Sequence, residues 1–210
     1  MGLGSMNFLS IKKAYLTNID QVLEFGDWVQ GEDLKKTKEI LGMYTTVHFS
    51  NAPCDEIVKG SIWNGEILER YCKQLLDPSD KGFVYDYGNR LRGFDIDQIE
   101  YVIDKLNTCS TSRRAISITW RPAVDCGNDD VPCMILLDFK VRHQNLYIFG
   151  YWRSWDIFGA SYSNMKAIEN IGRYICDRLG LRLSQMTILA GSAHIYETDI
   201  DEAKRLLKLN

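Results

Sequence analysis

The chain has 210 residues, a formal net charge of −3 and a sequence pI near 5.7. This balance argues against wholesale binding of nucleic-acid backbone, which needs a basic surface, and no apolar run approaches the length of a membrane span. A hydrophobic content of 45% is typical of a globular protein that buries its core without disulfides or metals. We therefore expect one domain over residues 6–210 with neither a nucleic-acid nor a membrane partner, and we interpret residues 1–5 as an expression scar.

The cysteines and histidines show no metal-binding or disulfide pattern. No CxxC pair occurs among the six cysteines, which are Cys54, Cys72, Cys109, Cys126, Cys133 and Cys176. The three histidines, His48, His143 and His194, form no ligand cluster with them. We expect reduced thiols, a cytoplasmic location and no metal.

The first half of the chain predicts helices around one strand. Apolar residues at helical spacing indicate helices over residues 10–25 and 63–76, and Pro78 follows the end of the second. Residues 43–49 favour a strand because β-branched and aromatic side chains follow one another there. A third helix is predicted with Asp95 as its cap, and its apolar stripe consists of Ile96, Ile99, Val102, Ile103 and Leu106.

In the second half of the chain the apolar residues follow an alternating rather than a helical spacing, which predicts most of the sheet. Strands are expected over residues 115–120, 134–141 and 146–153, with a hairpin turn at residues 143–145. A long helix over residues 164–179 should end at Gly180, followed by a strand at 186–190 and a short helix at 199–207. The strands run together with helices beside them, so the predicted class is α+β, a mixed β-sheet with helices packed on one side.

Polar residues interrupt predicted strands at three places. Ser112-Arg113-Arg114 precedes one strand, Cys133 follows Pro132 at the start of the next, and Arg153-Ser154 lies at the end of a third, with Asp156 close behind. Each segment alone has an ordinary explanation: an arginine pair is often solvated, and a cysteine in such a place is often a small buried hydrophobe.

Together, these segments make the chain from about Gly82 to Asn210 resemble the thymidylate synthase family. The motifs that follow the family's order are Tyr87-Gly88, Ser112-Arg113-Arg114 with Trp120, Pro132-Cys133, Arg153-Ser154-x-Asp156, Asn164 and Gly191-x-Ala193-His194-Ile195-Tyr196. The steps from Arg113 to Cys133, Arg153 and Asn164 match the family's spacing. The short form with Tyr85-x-Tyr87-Gly88 looks most like the archaeal branch.

The resemblance implies a one-carbon transfer to C5 of a pyrimidine nucleoside monophosphate. Cys133 would add to C6 of the base as a thiolate, and Arg153 would lower the pKa of its thiol. Tyr87 would assist removal of the C5 proton, and Asp156 would hold the pterin ring of the donor. The implied donor is 5,10-methylenetetrahydrofolate or a methanopterin analogue. The family's catalytic glutamate lies on an early helix, which makes Glu66 or Glu69 the candidate.

The same resemblance assigns the substrate-binding residues. Arg153 and Ser154 would contact the phosphate, Asn164 would read the edge of the base, and His194 and Tyr196 would bond the sugar hydroxyl. Arg113 and Arg114 would reach the phosphate of the neighbouring subunit's site, which implies a homodimer with a sheet face at its interface. The early phosphate-binding arginine has no clear counterpart, and Arg90 or Arg92 is a guess for its place.

Departures from the family pattern leave alternatives open. Trp152 stands where glutamine is usual, Met134 follows the nucleophile in place of histidine, and Ser192 replaces an aspartate. The leading hypothesis is a thymidylate synthase that makes dTMP from dUMP, and Asn164 favours uracil. The alternatives are a 5-hydroxymethylase acting on CMP, dCMP or dUMP and a non-catalytic nucleotide-binding relative, although the latter would have no need of Cys133.

Overall fold

The computed structural model describes residues 6–32, 34–50, 57–63, 65–80, 82 and 86–210. The elements in chain order are β1 Met6–Phe8, α1 Ile11–Phe25, β2 Asp27–Gln30, β3 Lys36–His48, α2 Gly65–Gln74, α3 Tyr87–Arg92, α4 Gln98–Thr108, β4 Ile116–Ile118, α5 Pro122–Asp125, β5 Met134–Arg142, β6 Asn145–Asp156, α6 Ser161–Leu179, β7 Arg182–Tyr196, a 3₁₀ turn Glu197–Asp199 and α7 Ile200–Leu209. Residues 1–5, Cys54 and Tyr85 lie outside the described residues.

The strands form one mixed sheet in the order β1-β3-β7-β6-β5-β4, and β2 pairs with β3. β1 is parallel to β3 and β6 is parallel to β7, whereas the other pairs are antiparallel. The predicted class, an α+β fold with a mixed sheet and helices, is confirmed. None of the helices in the described ranges is long and apolar enough to cross a membrane.

The long helix α6 lies at the centre of the core. It contacts β6 and β7, and α1, α2 and α4 pack against it. The strands supply the other half of this core through alternate side chains, among which Met43, Leu137, Ile148 and Ile188 are at most 1% exposed. Because successive side chains of a strand point to opposite faces of the sheet, one face packs against the helices.

The opposite face of the sheet carries a second set of large apolar side chains. Tyr44, Leu189 and Tyr151 are register partners across β3, β7 and β6, so they point to the same side. Tyr44 and Phe149 on this face are 44% and 39% exposed. We call these residues, together with Leu136, the outer sheet face.

Several local predictions are confirmed. The helix predicted over residues 10–25 is present as α1, and Ser10 is its cap, accepting a hydrogen bond from the Lys13 N–H. As predicted, α6 ends at Gly180, whose φ of +65° is the left-handed conformation of a C-terminal cap. His143 and Gln144 also have positive φ, as the hairpin turn between β5 and β6 requires.

Other local predictions are wrong. Asp97 rather than Asp95 caps α4, since its Oδ1 accepts from the N–H groups of Ile99 and Glu100. Ile96 is 58% exposed and does not belong to the apolar stripe. β3 and β7 are much longer than predicted, and the short elements β1, β2, α3 and α5 were not predicted.

Candidate active site

Cys133 lies immediately before β5 and is held against β6. The Arg153 N–H donates to the Cys133 carbonyl oxygen at 2.9 Å. The Arg153 side chain returns to the same loop, where Nε donates to the Pro132 carbonyl at 3.0 Å and Nη2 to the Val131 carbonyl at 2.8 Å. Nη2 also lies 3.8 Å from Cys133 Sγ. A fixed guanidinium therefore stands beside a partly exposed thiol, and a cation in that position stabilises a thiolate.

Tyr87 joins this pair from a different part of the chain. It is the first residue of α3, which Asp86 caps through hydrogen bonds from the N–H groups of Gly88 and Asn89. The Met134 N–H donates to the Tyr87 hydroxyl at 3.0 Å. The phenol is therefore tied to the residue directly after Cys133.

Asn164 lies in the first turn of α6 and is only 6% exposed. Its Oδ1 accepts from the Trp155 indole Nε1 at 3.1 Å, and its Nδ2 donates to the Tyr71 hydroxyl at 2.6 Å. Burial raises the pKa of Tyr71 above its ordinary value, with smaller contributions from the neighbouring Tyr87 and Cys133. Tyr71 therefore ties α2 to the first turn of α6 through the Asn164 amide.

Asp156 and His194 meet across the parallel strands β6 and β7. They are register partners, and Asp156 Oδ1 accepts from the Gly159 N–H at 2.8 Å. Burial raises the pKa of Asp156, while the Gly159 N–H and His194 oppose this shift. The rings of His194 and Tyr196 meet edge to face at 5.1 Å between centroids. This end of the sheet combines a partly desolvated carboxyl with two polar rings.

Ser154 is the register partner of Ser192 in the same strand pair. The hydroxyl of Ser192 donates to the carboxylate of Glu39 on β3. Ser192, at a position where the family usually has an aspartate, thus has an acidic partner supplied by another strand.

Arg113 and Arg114 lie far from Cys133 within the chain. They precede β4 on an exposed segment, where the Arg114 carbonyl accepts from the Tyr101 hydroxyl at 3.0 Å. The following residue, Ala115, bonds to Phe139 on β5. Phe139 is six residues beyond Cys133, which at 3.3 Å per residue corresponds to roughly 20 Å. Both arginines therefore lie too far along the strand to contact the Cys133 site of their own chain.

Neither glutamate candidate lies near Cys133 in the described contacts. Glu69 is exposed and pairs with Lys73 at 2.7 Å, and Glu66 is exposed on the same outer side of α2. The residue that α2 does contribute is Tyr71, which no motif in the sequence marks as part of the site. The hydrophobic spacing of a helix does not reveal the role of a tyrosine hydroxyl, and the contact with Asn164 joins residues 93 positions apart.

Arg90 and Arg92, the guesses for a phosphate contact, are committed to internal ion pairs. Arg90 donates to both oxygens of Asp125, at 2.8 and 3.1 Å, and both side chains are at most 4% exposed. Arg92 pairs with Asp97 at 2.7 Å. Arg90 instead attaches α3 to α5, in the segment that leads to Cys133. Across the described ranges, no cluster of three or more His, Cys, Asp or Glu residues could hold a metal.

Comparisons with known proteins point to one family. The family model described as thymidylate synthase matches residues 54–210. The chain is 36% identical to a protein of Methanothermobacter marburgensis over 94% of this chain and 95% of the relative. It is 36% identical to a protein of Methanococcoides burtonii over 95% and 92%, and 34% identical to one of Methanocaldococcus jannaschii over 93% and 92%. All three relatives carry the name "Putative thymidylate synthase".

Proposed function

Because the chain belongs to the thymidylate synthase family and is an enzyme of the methyltransferase type, we propose that it converts dUMP to dTMP in the cytoplasm. The proposed donor is 5,10-methylenetetrahydrofolate or a methanopterin analogue. The observation that carries the proposal is the fixed pair of Cys133 and Arg153, whose Sγ and Nη2 atoms lie 3.8 Å apart. A binding protein would have no need of a thiol beside a fixed cation.

The proposed reaction begins at Cys133. Its thiolate adds to C6 of uracil, the ring electron pair moves to C5, and C5 bonds to the methylene carbon of the donor as one of the two bonds from that carbon to donor nitrogens breaks. Loss of the C5 proton then breaks the second carbon–nitrogen bond, which leaves an exocyclic methylene on the base and frees the tetrahydropterin. A hydride from the reduced pterin ring converts the methylene to methyl as Sγ departs from C6, so the donor is oxidised to its dihydro form. Arg153 stabilises the thiolate before addition and again after its release.

Tyr87 is the proposed residue for removal of the C5 proton. Its hydroxyl is held by the Met134 N–H, one residue from the nucleophile. A general acid or base must stand within hydrogen-bond reach of the proton that it moves, directly or through one water. The bond between the Tyr87 hydroxyl and the Met134 N–H, next to the nucleophile, supports this role for Tyr87, whereas none of the described contacts of Glu66 and Glu69 supports it.

The nucleotide would be held by groups around Cys133. Asn164 faces the base, His194 and Tyr196 the sugar, and Arg153 with Ser154 the phosphate. Arg113 and Arg114 of the partner subunit would complete the phosphate site. Their remote position in their own chain and the exposed outer sheet face support a homodimer whose two sheets meet, because such a dimer buries Tyr44 and Phe149.

Asp156 and Trp63 suit the donor's pterin ring. A pterin offers N–H donors along one edge, and Asp156 is a carboxyl whose partners in the described structure are N–H donors such as that of Gly159. The Trp63 indole donates to the Gly159 carbonyl at 2.6 Å, and its ring lies 5.2 Å from that of Tyr71. An acceptor and an aromatic pair therefore converge on the loop after β6.

Product analysis tests the proposal directly. The protein is incubated with dUMP, UMP, dCMP or CMP and 5,10-methylenetetrahydrofolate, and products are identified by mass. A methyl product from dUMP supports the proposal, whereas a hydroxymethyl product from any of the four assigns a hydroxymethylase. Intact mass after 5-fluoro-dUMP and donor tests the covalent step: an adduct absent from Cys133→Ala excludes a binding-only protein.

A further inference from the structure

The amide of Asn164 is held at both ends by aromatic residues. Trp155 donates its indole N–H to Oδ1 at 3.1 Å, and the Tyr71 hydroxyl accepts from Nδ2 at 2.6 Å. Trp155 is 1% exposed and Asn164 6% exposed. Solvent therefore offers little compensation for a hydrogen bond lost at this place.

The indole determines which way the amide points. An asparagine amide can turn over and exchange its oxygen and nitrogen, and the choice is normally inferred from the surrounding network. Tyr71 cannot make that choice, because a hydroxyl both donates and accepts. Trp155 can make it, because an indole only donates. A reversed amide would set the N–H groups of Asn164 against the N–H of Trp155, so Oδ1 must face the indole.

The proposed function gives the direction of this amide a meaning for the base. Asn164 is proposed to face the edge of a pyrimidine that carries N3 and the exocyclic group at position 4. With dUMP as substrate, both hydrogen bonds form when the Nδ2 end faces position 4 and the Oδ1 end faces N3.

This order matches uracil and mismatches cytosine. Uracil presents an acceptor, O4, to Nδ2 and a donor, N3–H, to Oδ1. Cytosine presents an amino donor at position 4 and a bare acceptor at N3, so both bonds are lost. A reversed amide would fit cytosine in the same pose. An amide at this position is therefore not enough, and the direction in which it points decides which base is accepted.

We propose that Trp155 is the positioning residue that sets base specificity, by preventing the Asn164 amide from reversing. The proposal rests on the proposed function, since it assumes that Asn164 faces a base bonded to Cys133. In this arrangement Trp155 does not contact the base itself, so specificity depends on a residue that acts through Asn164.

The test compares two tryptophan variants. Trp155→Phe keeps an aromatic ring but removes the N–H, so the ratio of kcat/KM for dUMP to that for dCMP should fall at least fivefold. Trp152→Phe is the matched control. Its ring lies 5.8 Å from that of Trp155, it is equally buried, and its Nε1 has no hydrogen-bond partner among the described residues. The control ratio should stay within twofold of wild type.

A third variant protects the test against a folding defect. Trp155→His retains a ring N–H, so its ratio should lie above that of Trp155→Phe even where both variants melt at a lower temperature than wild type. Loss of packing alone would lower both ratios equally.

The possible failures are distinguishable. A Trp155→Phe ratio within twofold of wild type, a Trp152→Phe ratio that falls equally, or a Trp155→His ratio no higher than that of Trp155→Phe overturns the role of Trp155. A wild-type enzyme that prefers dCMP overturns it too, while leaving the family chemistry intact. If wild type transforms none of the four nucleotides, the proposed function itself fails and the inference falls with it.

Discussion

Cys133 and the Arg113–Arg114 pair lie near opposite ends of the β4–β5 strand pair, and their surroundings differ. Around Cys133, main-chain and side-chain hydrogen bonds fix Arg153 and Tyr87 within one or two residues of the thiol. Arg113 and Arg114 stand on an exposed segment. The difference fits the proposed homodimer, in which one chain provides the nucleophile and the base reader of a site and the partner subunit provides the arginine pair. A site divided in this way would make activity depend on assembly.

The largest expected effect comes from the nucleophile itself. Cys133→Ser should abolish turnover while nucleotide binding stays within about tenfold, because an alkoxide is far harder to form than a thiolate. Turnover is measured by product mass and binding by calorimetry. Cys126→Ser, which changes an exposed cysteine outside the site, should keep wild-type turnover. A Cys133→Ser enzyme that retains a tenth of the wild-type rate would remove Cys133 from its role.

Mixed dimers test whether the two regions belong to one site. Arg114→Ala and Cys133→Ala protomers should each be inactive as homodimers. Mixed under exchange conditions, they should recover about a quarter of wild-type activity, because half of the dimers are mixed and each has one intact site. Activity is followed against the fraction of mixed dimers, counted by native mass spectrometry.

The matched control for this experiment places both defects on the same side of the site. Arg153→Ala mixed with Cys133→Ala should recover nothing, since Arg153 and Cys133 are in contact within one chain. If the mixture of Arg114→Ala with Cys133→Ala also recovers no activity despite verified mixed dimers, each site is built from one chain, and the two regions do not share a site across the dimer.

Breaking the buried Arg90–Asp125 pair should destabilise the fold in the segment that leads to Cys133. Burial raises the pKa of Asp125, but hydrogen bonds from Arg90 and from the Arg121 N–H outweigh it, so the net effect lowers that pKa. Arg90→Leu leaves the carboxylate buried without its partner and should cost roughly 3–5 kcal/mol of unfolding free energy. Denaturant unfolding measures this loss, and Arg205→Leu, which breaks an exposed pair, should leave stability nearly unchanged.

The same pair predicts a direction for pH dependence. A carboxyl whose folded pKa is lowered stabilises the fold above its unfolded pKa, and this contribution disappears as pH falls through the folded value. Wild type should therefore lose stability on acidification below about pH 4, the ordinary range of an aspartate, and Arg90→Leu should lose less over that window. An equal acid loss in both proteins would mean that Arg90 does not hold the pKa of Asp125 down.

The sequence predicted the long helices and several of the residues that lie around Cys133, and it failed where tertiary contacts decide. Period and caps located α1 and α6, because their apolar stripes and terminal residues act locally. The extent of β3 is different. Residues 36–41 are mostly exposed or half-buried, and pairing with β7 and β2 extends the strand there. No local pattern encodes that pairing.

The candidate site divides in the same manner. Motif spacing identified Cys133, Arg153 and Asn164, which lie on adjoining elements. It missed Tyr71 and Trp155, because an aromatic residue at a core position is ordinary in a helix or strand. Their polar atoms matter here only because the fold sets them against the Asn164 amide.

The smallest predicted effect concerns the base reader and leaves catalysis in place. Asn164→Asp should shift preference from uracil towards cytosine nucleotides. A protonated aspartic acid gives a hydrogen bond to N3 of cytosine and accepts one from its amino group, whereas N3–H and O4 of uracil match that acid less well. Each misplaced buried hydrogen bond costs about 1–3 kcal/mol, so the ratio of kcat/KM for dUMP to that for dCMP should change roughly five- to a hundredfold.

Asn170→Asp, on the same helix but bonded to the Cys72 carbonyl, should leave the ratio unchanged. If the ratio moves less than a few-fold in Asn164→Asp, Asn164 does not read the base, and the region around Cys133 supplies the nucleophile without the specificity.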